Sequence, residues 1–442
     1  MTEKSHSDPI STADNKKSYM EVMTMKKFNK VLALCLALVL VVGCFAACGE
    51  TTPDDPKAEN IKVALICLHG DSSTYDKNFI DAFKLACENK GLTADDYTIV
   101  TDIPEDTACY DQAADLAESY DLIFADSFGH ESHMIKAAKE FPEVEFCHAT
   151  GTRAHTENLP NFHNAFASIY EGRYLAGVAA GMKLNQMIQE NKITADQAVM
   201  GYVGAYPYAE VKSGYTAFYL GAKFVCPSVT MMVDFTNDWY KPDAERDVAN
   251  SLMDRGAVLI SQHADSLGAP SACEARKVPN VSYNGSTVDT CPETFIVSSR
   301  IDWTPYFEFM VNSVVEGKDI PADWTGTLAT GSVALTDINT VAAAPGTAEK
   351  IADVKAKLIS GEVKVFDTNN FTVKNEKITT YKADVDTDKA FTPDTEAVEN
   401  GVFYESKHRS APYFDIDIDG ITILAAITSI IFTIYANIVF IT

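Results

Sequence analysis

The stretch "IKVALICL" (61–68), followed by "YDKNFIDAFKLACENKG" (75–91), decides the fold. The first is a short, unbroken apolar run, as expected of a strand buried on both faces. The second carries apolar residues at helical spacing and closes on Gly91, a helix-stop signal. The pair recurs: "YTIV" (97–100) precedes a helix through "YDQAADLAESY", "DLIFAD" (121–126) precedes one through "HMIKAAKEF", and "EVEFCHA" (143–149) follows. Strand–helix alternation at this rhythm predicts a parallel sheet with helices on both faces.

The same grammar restarts after "YEGRYLAGVAAGMKL" (170–184). "AVMGYVG", "VTMMVDF", "AVLISQ" and "NVSYN" read as strands, with helices through 209–224, 241–255 and 266–276 between them. Two α/β sets of similar size predict a two-lobed protein, with short runs at 294–300 and 331–335 crossing back between lobes. In open parallel sheets ligands sit beyond the carboxyl ends of the strands. Function is therefore sought in "HGDSSTYD", "DSFGHES", "GAYPYAE", "TNDWYKPD", "QHADS" and "YNGST", loops rich in aromatics, Ser, Asn and Asp and poor in cations.

The chain of 442 residues is 46% hydrophobic and 22% charged, ordinary globular values. Its net charge of -26 is uneven: residues 1–47 carry six Lys/Arg against four Asp/Glu, which leaves the remainder at -28. Such an acidic body is repelled by nucleic acid and by anionic lipid head groups. Past residue 48, Cys67, Cys87, Cys109, Cys147, Cys226, Cys273 and Cys291 form an odd set without a C-x-x-C pair, so neither a disulfide framework nor a zinc site is indicated. Many unpaired thiols on an exported protein suggest an oxygen-poor habitat.

Export itself is read from the N-terminus. Lys26, Lys27 and Lys30 precede an apolar run from Val31 to Val42 that is shorter than the ~20 residues of a membrane span. The run ends in "GCFAACGE", and a polar tether follows. This is the pattern of a bacterial lipoprotein signal, lipidated and cut at Cys48, with Cys44 as the second choice. Residues 1–24 read as an extension or a gene-start error, 25–47 as the signal and 48–59 as the tether. The other end, "ITILAAITSIIFTIYANIVFIT" (421–442), is free of charge. It reads first as a misassembled or frame-shifted terminus, then as a transmembrane anchor or a packed element.

Several motifs are set aside. "GHESH" (129–133) lacks the H-E-x-x-H spacing and an evident third ligand. "ADSFG" (125–129) imitates a nucleophile elbow, but Ala125 replaces the first glycine. "DIDIDG" (415–420) opens like a calcium loop, yet Ala426 stands where Glu is needed. No metal or cofactor is expected. No P-loop glycine–lysine pattern occurs, so any ATPase must be another subunit.

With these loops in view, the sequence resembles the basic membrane protein family of lipoproteins, receptors for purine nucleosides and related purines that feed ABC importers. The resemblance lies in "DLIFADSFGHESHMIKAAKEFPEVEFCHATG" (121–151), "YEGRYLAGVAAG" (170–181), "GYVGAYPYAEVKSGYTAFYLGAK" (201–223), "TNDWYKPDAERDVANSLMDRGAVLISQHADS" (236–266) and "HRSAPYFDIDIDGIT" (408–422), and covers roughly 60–420. It implies a type I periplasmic-binding-protein fold, two doubly wound parallel-sheet lobes joined by a three-strand hinge. The expected lobes are 60–168 plus 285–330 and 169–284 plus 331–420. It also implies permease and ATPase partners and a monomer held by its lipid on the extracytoplasmic face of the cell membrane.

By the same resemblance Phe79 and Trp239 match aromatic stacking positions, and Asp76 matches the acid before the first of them. Ser127 and Phe128 match contacts after the third strand, and Asp265 a loop facing the cleft from the second lobe. Tyr75, Tyr206, Asn237 and Trp303 are further candidates. Phe79 also sits on the apolar face of its helix with Phe83, which makes a core role an equal reading. Ile80 stands where nucleoside binders have Asn, and Asn284 aligns with the acid that grips ribose. The family's nearby Lys has no counterpart around Ser299–Arg300. A bare purine base therefore fits as well as a nucleoside. The physics of the loops agrees, since flat heterocycles are held by aromatic faces and in-plane hydrogen bonds. The rival readings are a nucleoside-acting enzyme, a hydrolase or phosphorylase, and a membrane-anchored sensor.

Overall fold

The computed structural model describes residues 61–385, 390 and 392–424. The described residues all belong to one compact unit. The signal, the tether and Cys48 lie outside them, as do residues 425–442 of the tail.

The first half opens with β1 (Val63–Ile66), α1 (Thr74–Asn89), β2 (Tyr97–Val100), α2 (Thr107–Ala117), β3 (Leu122–Ala125) and α3 (Glu131–Glu140). It continues through β4 (Glu145–Ala149), the single turn α4 (Ala154–Glu157) and β5 (Phe162–Ala167). The second half contains α5 (Ile169–Gln189), β6 (Val199–Gly204), α6 (Ala209–Val225), β7 (Thr230–Phe235), α7 (Pro242–Asp254), β8 (Leu259–Gln262), α8 (Gly268–Arg276), β9 (Asn280–Tyr283) and β10 (Phe295–Ile301). After α9 (Thr304–Glu316), β11 (Asp323–Gly326), β12 (Val333–Leu335) and α10 (Thr347–Ser360), the chain runs on to a last short strand at Ile421–Ile423.

Among the described residues two large sheets result, ordered β11-β5-β4-β3-β1-β2 and β12-β10-β9-β8-β6-β7 with Ile421–Ile423 beyond β7, beside two small two-stranded ones between residues 382 and 403. The first is parallel throughout, with β1 between β2 and β3 in register Val63↔Tyr97 and Val63↔Leu122. In the second, only β12 runs antiparallel, against β10. The wholly buried faces of β1 and β3 explain their unbroken apolar runs. Each sheet reverses its strand order beside its first strand, between β1 and β3 and between β6 and β8. That reversal opens a crevice at the carboxyl ends of those strands.

Three connections join the halves: β5 to α5, β10 to α9, and β11 to β12. They run together, for the Ser168 N–H donates to Gly326 O at 2.8 Å and the Asp302 N–H to Ser332 O at 2.7 Å. A Cβ on Gly326 would lie 2.3 Å from that of Ser332, so this contact requires glycine. The lobe boundaries differ here from the sequence expectation. Residues 285–330 do not all return to the first half: β10 pairs with β9 and β12 in the second sheet, and the return begins after Ile301. The runs at 294–300 and 331–335 are thus strands of one sheet, joined to crossovers at their ends. In the second half α5 and α6 pack so closely that a Cβ on Gly177 would meet Phe218 O at 2.0 Å.

The segment after α10 straps both halves. Ser410 donates through its N–H and hydroxyl to Asp323 Oδ1 at 2.8 and 2.7 Å, while Asp415 and Asp417 pair with Lys212 at 2.7 and 3.2 Å. Asp419 accepts from Thr372 and from the Asn375 N–H. The "DIDIDG" carboxylates are thereby engaged within the protein. The tail begins differently from expectation: Ile421–Ile423 pairs in parallel with β7, and the Leu424 N–H donates to Val233 O at 2.8 Å. These residues are a packed element that covers the edge of the second sheet.

Candidate functional site

The two crevices face each other and enclose a cavity of about 20 Å³, little more than one water requires. From the first half it is lined by Leu68 and His69 after β1, Tyr75 and Asp76 of α1, Ser127 and Phe128 after β3, and Thr150 after β4. From the second come Glu210 of α6, Trp239 after β7, His263 and Asp265 after β8, and Tyr283 of β9. The halves touch at its rim. Thr74 donates to Asp265 O through its N–H (3.0 Å) and its hydroxyl (3.1 Å). Phe128, Thr150 and Glu210 also line an outer chamber of about 260 Å³ that reaches Arg409 and Pro412.

Local chemistry fixes these side chains. Ser73 caps α1 and its hydroxyl donates to Asp76 Oδ2, while the His69 N–H donates to Asp76 Oδ1 at 2.7 Å. The Tyr75 hydroxyl donates to Asp126 O at 2.7 Å. Ser127 donates to Glu105 at 2.7 Å, which also receives the Gly129 N–H. The serine of the elbow-like motif is therefore a structural donor. His130 is buried with Nε2 2.9 Å from Ile103 O, and Glu131 accepts the N–H groups of Thr152 and Arg153. "GHESH" thus holds the loop that carries Thr150.

Electrostatically the cavity is acidic. Burial pushes the carboxyl of Asp265 well above the usual range, and Asp76, Glu245 and Glu210 add to the shift. Burial likewise holds His263 neutral by depressing its pKa. Behind the first-half wall, Cys67, Asp76 and Asp126 bring a thiol and two carboxylates within 4.8 Å of one another, the one such group among the described residues. Protein donors occupy both Asp76 oxygens and Asp126 Oδ1, which takes the Leu68 N–H at 3.1 Å. Burial and the neighbouring Asp76 push the Asp126 carboxyl up.

The sequence candidates divide. Tyr75, Asp76, Ser127, Phe128, Trp239 and Asp265 line the cavity. Tyr206 stands behind Trp239, edge-on at 5.1 Å, and stacks on Tyr208 at 5.1 Å. Asn237 is an exposed turn residue with φ 56°. Asn284 (φ 64°) is buried behind Asp265, its amide 3.4 Å from Oδ1, and lines a separate groove. Phe79 and Trp303 are wholly buried and stack on each other at 4.4 Å, in the core of the first half. The sequence reading did not single out Glu210, His263 and Tyr283. The signal for them was position, since His263 directly follows a strand, Tyr283 ends one, and Glu210 closes a post-strand loop.

A sequence model of the family described as "ABC transporter substrate-binding protein PnrA-like" matches residues 82–369. The purine-binding protein BAB2_0673 of Brucella abortus is 31% identical over 247 residues, 55% of this chain and 65% of its own. TsgA13 of Haloferax volcanii, named for glucose binding in an ABC transporter, is 35% identical over 207 residues, 47% of this chain and 49% of its own. The chain therefore spans less than two thirds of either relative. A solved ABC transporter solute-binding protein from Conexibacter woesei superposes with a TM-score of 0.57 at 19% identity, over 69% of this chain and 98% of that one. The fold is that of the type I periplasmic solute-binding proteins.

Proposed function

This chain belongs to the family of PnrA-like ABC transporter substrate-binding proteins, and we propose that it is a lipid-anchored receptor that captures a purine base or purine nucleoside between its lobes and delivers it to a permease. It carries out no covalent chemistry. The observation that carries the reading is the facing of Trp239 and Tyr283 from one half with Tyr75 and Phe128 from the other across one narrow cavity. Aromatic faces of this kind hold a flat heterocycle at about 1–3 kcal/mol per stacked ring. Two such faces with a few in-plane hydrogen bonds reach the roughly 8 kcal/mol of a micromolar complex. The Glu210 carboxylate adds an acceptor for ligand N–H groups, and the carboxyl groups of Asp76 and Asp265 make the cavity polar on either side of it.

The outer chamber beside Glu210 gives room for a substituent such as ribose, so base and nucleoside both remain within the reading. The name of the Haloferax relative makes a sugar the natural control. Thermal-shift screening of the intact protein against purine bases, nucleosides, pyrimidines and sugars tests the proposal, because a ligand raises the melting temperature by mass action. Purines alone should raise it; a response to glucose without one to any purine refutes the reading.

A further inference from the structure

Behind the second-half wall of the cavity runs a buried chain of polar groups that starts at Arg173. This residue of α5 is wholly buried, and its guanidinium lies 4.2 Å from the centre of the Tyr283 ring. Its Nη2 donates to the Tyr202 hydroxyl and, at 3.0 Å, to Gln262 O. The Tyr202 hydroxyl lies 3.3 Å from His263 Nδ1, and His263 Nε2 lies 3.4 Å from Glu210 Oε1.

The direction of every proton follows from which groups can donate. A carboxylate only accepts, so Nε2 of His263 carries a hydrogen. Burial outweighs the opposing pull of Glu210, with the positive charge of Arg173 on its side, so the ring is neutral and Nδ1 is bare. Tyr202 takes the guanidinium N–H on its oxygen and turns its own hydrogen to Nδ1. The chain thus ends at the cavity in a donor, His263 Nε2–H, beside an acceptor, Glu210. Their mutual contact of 3.4 Å is long for a hydrogen bond, and both residues line the cavity. Each keeps capacity for a third partner.

A donor beside an acceptor complements a heterocycle edge that shows the reverse pair, which is how base edges are told apart. We propose that Glu210 and His263 read a lactam or amidine edge of the ligand. A ring N–H or amino group is given to Glu210, and a carbonyl oxygen or ring nitrogen accepts from His263. Arg173 and Tyr202 are positioning residues that fix which nitrogen of His263 bears the hydrogen. The inference rests on the purine reading and narrows it to bases with both groups on one edge.

The test is calorimetry on the intact protein with hypoxanthine, purine and 1-methylhypoxanthine, each methylated at N9 to remove the imidazole N–H that would otherwise offer a second donor beside a ring acceptor. So substituted, purine keeps its ring acceptors but has no donor, and the 1-methyl group blocks the lactam N–H. Hypoxanthine should bind roughly tenfold or more tightly than either, the worth of one charge-assisted hydrogen bond. Glu210→Ala should bring the hypoxanthine-to-purine ratio close to one. Tyr202→Phe should reduce the same ratio at least about threefold by freeing the tautomer, which lost packing alone would not do. Equal binding of the three ligands by the native protein overturns the inference and leaves the purine reading standing, and that comparison needs no variant to fold. A ratio unchanged by a folded Glu210→Ala protein overturns it too. Binding of none of the three, nor of any other purine base or nucleoside, overturns the purine reading itself, and this inference with it.

Discussion

The Phe128 ring, carried just past β3 of the first half, lies 5.6 Å from the ring of Tyr208 at the start of α6 in the second. Phe128 is 39% exposed and lines the cavity on its inner side. Tyr208 stacks on Tyr206, and Tyr206 meets Trp239. An aromatic ladder therefore closes the cleft from lobe to lobe.

Because that ladder is exposed at one end and faces the cavity at the other, its removal should affect binding more than folding. Phe128→Ala and Trp239→Ala should each weaken the best purine ligand about tenfold or more. For Phe128→Ala the ligand-free melting temperature should move by no more than about 2 °C. Calorimetry beside a thermal melt separates the two effects. Unchanged affinity in both variants would assign these rings to the scaffold.

Phe79 behaves in the opposite way. It stacks on Trp303 and lies 5.8 Å from Phe124, all three wholly buried. Phe79→Ala leaves a cavity in that cluster and should cost about 3–5 kcal/mol of stability. Denaturant unfolding reads this directly. The folded fraction at low temperature should bind the ligand with nearly native affinity; a selective loss of binding would return Phe79 to the site.

The pair Phe79 and Trp239 shows what could be read from sequence. Both match aromatic stacking positions by the family resemblance, but the alternation of strands and helices puts only Trp239 in a post-strand loop, whereas Phe79 falls within α1. Phe79 lies on the same helix face as Phe83, so periodicity alone could not tell a ring turned to the core from one turned to the ligand. Trp239 stands among Asn, Asp and Tyr, where no core face exists. The wall formed by Glu210 and His263 escaped notice because its meaning depends on Arg173 and Tyr202, and folding alone brings those four together. β10 was assigned to the wrong half for a similar reason: an apolar strand does not record which of two sheets it joins.

Glu405 gives the stability a pH dependence. Burial pushes its carboxyl up to about 8, and Glu210 and Glu171 add to the shift. Its folded pKa lies above the unfolded one, so between about 4.5 and 8 the folded state holds a proton that the unfolded state has released. Stability should therefore fall with rising pH across that window, by up to about 1.4 kcal/mol per unit, and level off above it. Unfolding series from pH 5 to 9 check this, and Glu405→Gln should make the slope shallower, leaving the part that the raised carboxyls of Asp126 and Asp265 contribute in the same direction. A native protein whose stability rises through the window would contradict it.

The seven cysteines past residue 60 are all free and buried. Burial pushes the thiols of Cys87, Cys109 and Cys147 up to about 12, so they hold almost no thiolate at neutral pH. Brief alkylation of the native protein followed by peptide mapping should leave these three unlabelled, whereas denaturation should label all seven. Rapid labelling of Cys87, Cys109 or Cys147 in the folded protein would show that these cores open.

The most direct measurement of the central claim is a calorimetric titration of the intact protein with hypoxanthine and, separately, with D-glucose. A receptor whose cavity is built from Tyr75, Phe128, Trp239 and Tyr283 around the carboxyl groups of Asp76, Glu210 and Asp265 should bind the purine with micromolar or tighter affinity and give no heat with the sugar. Saturable binding of glucose, with no binding of hypoxanthine or of any purine nucleoside, would contradict the account.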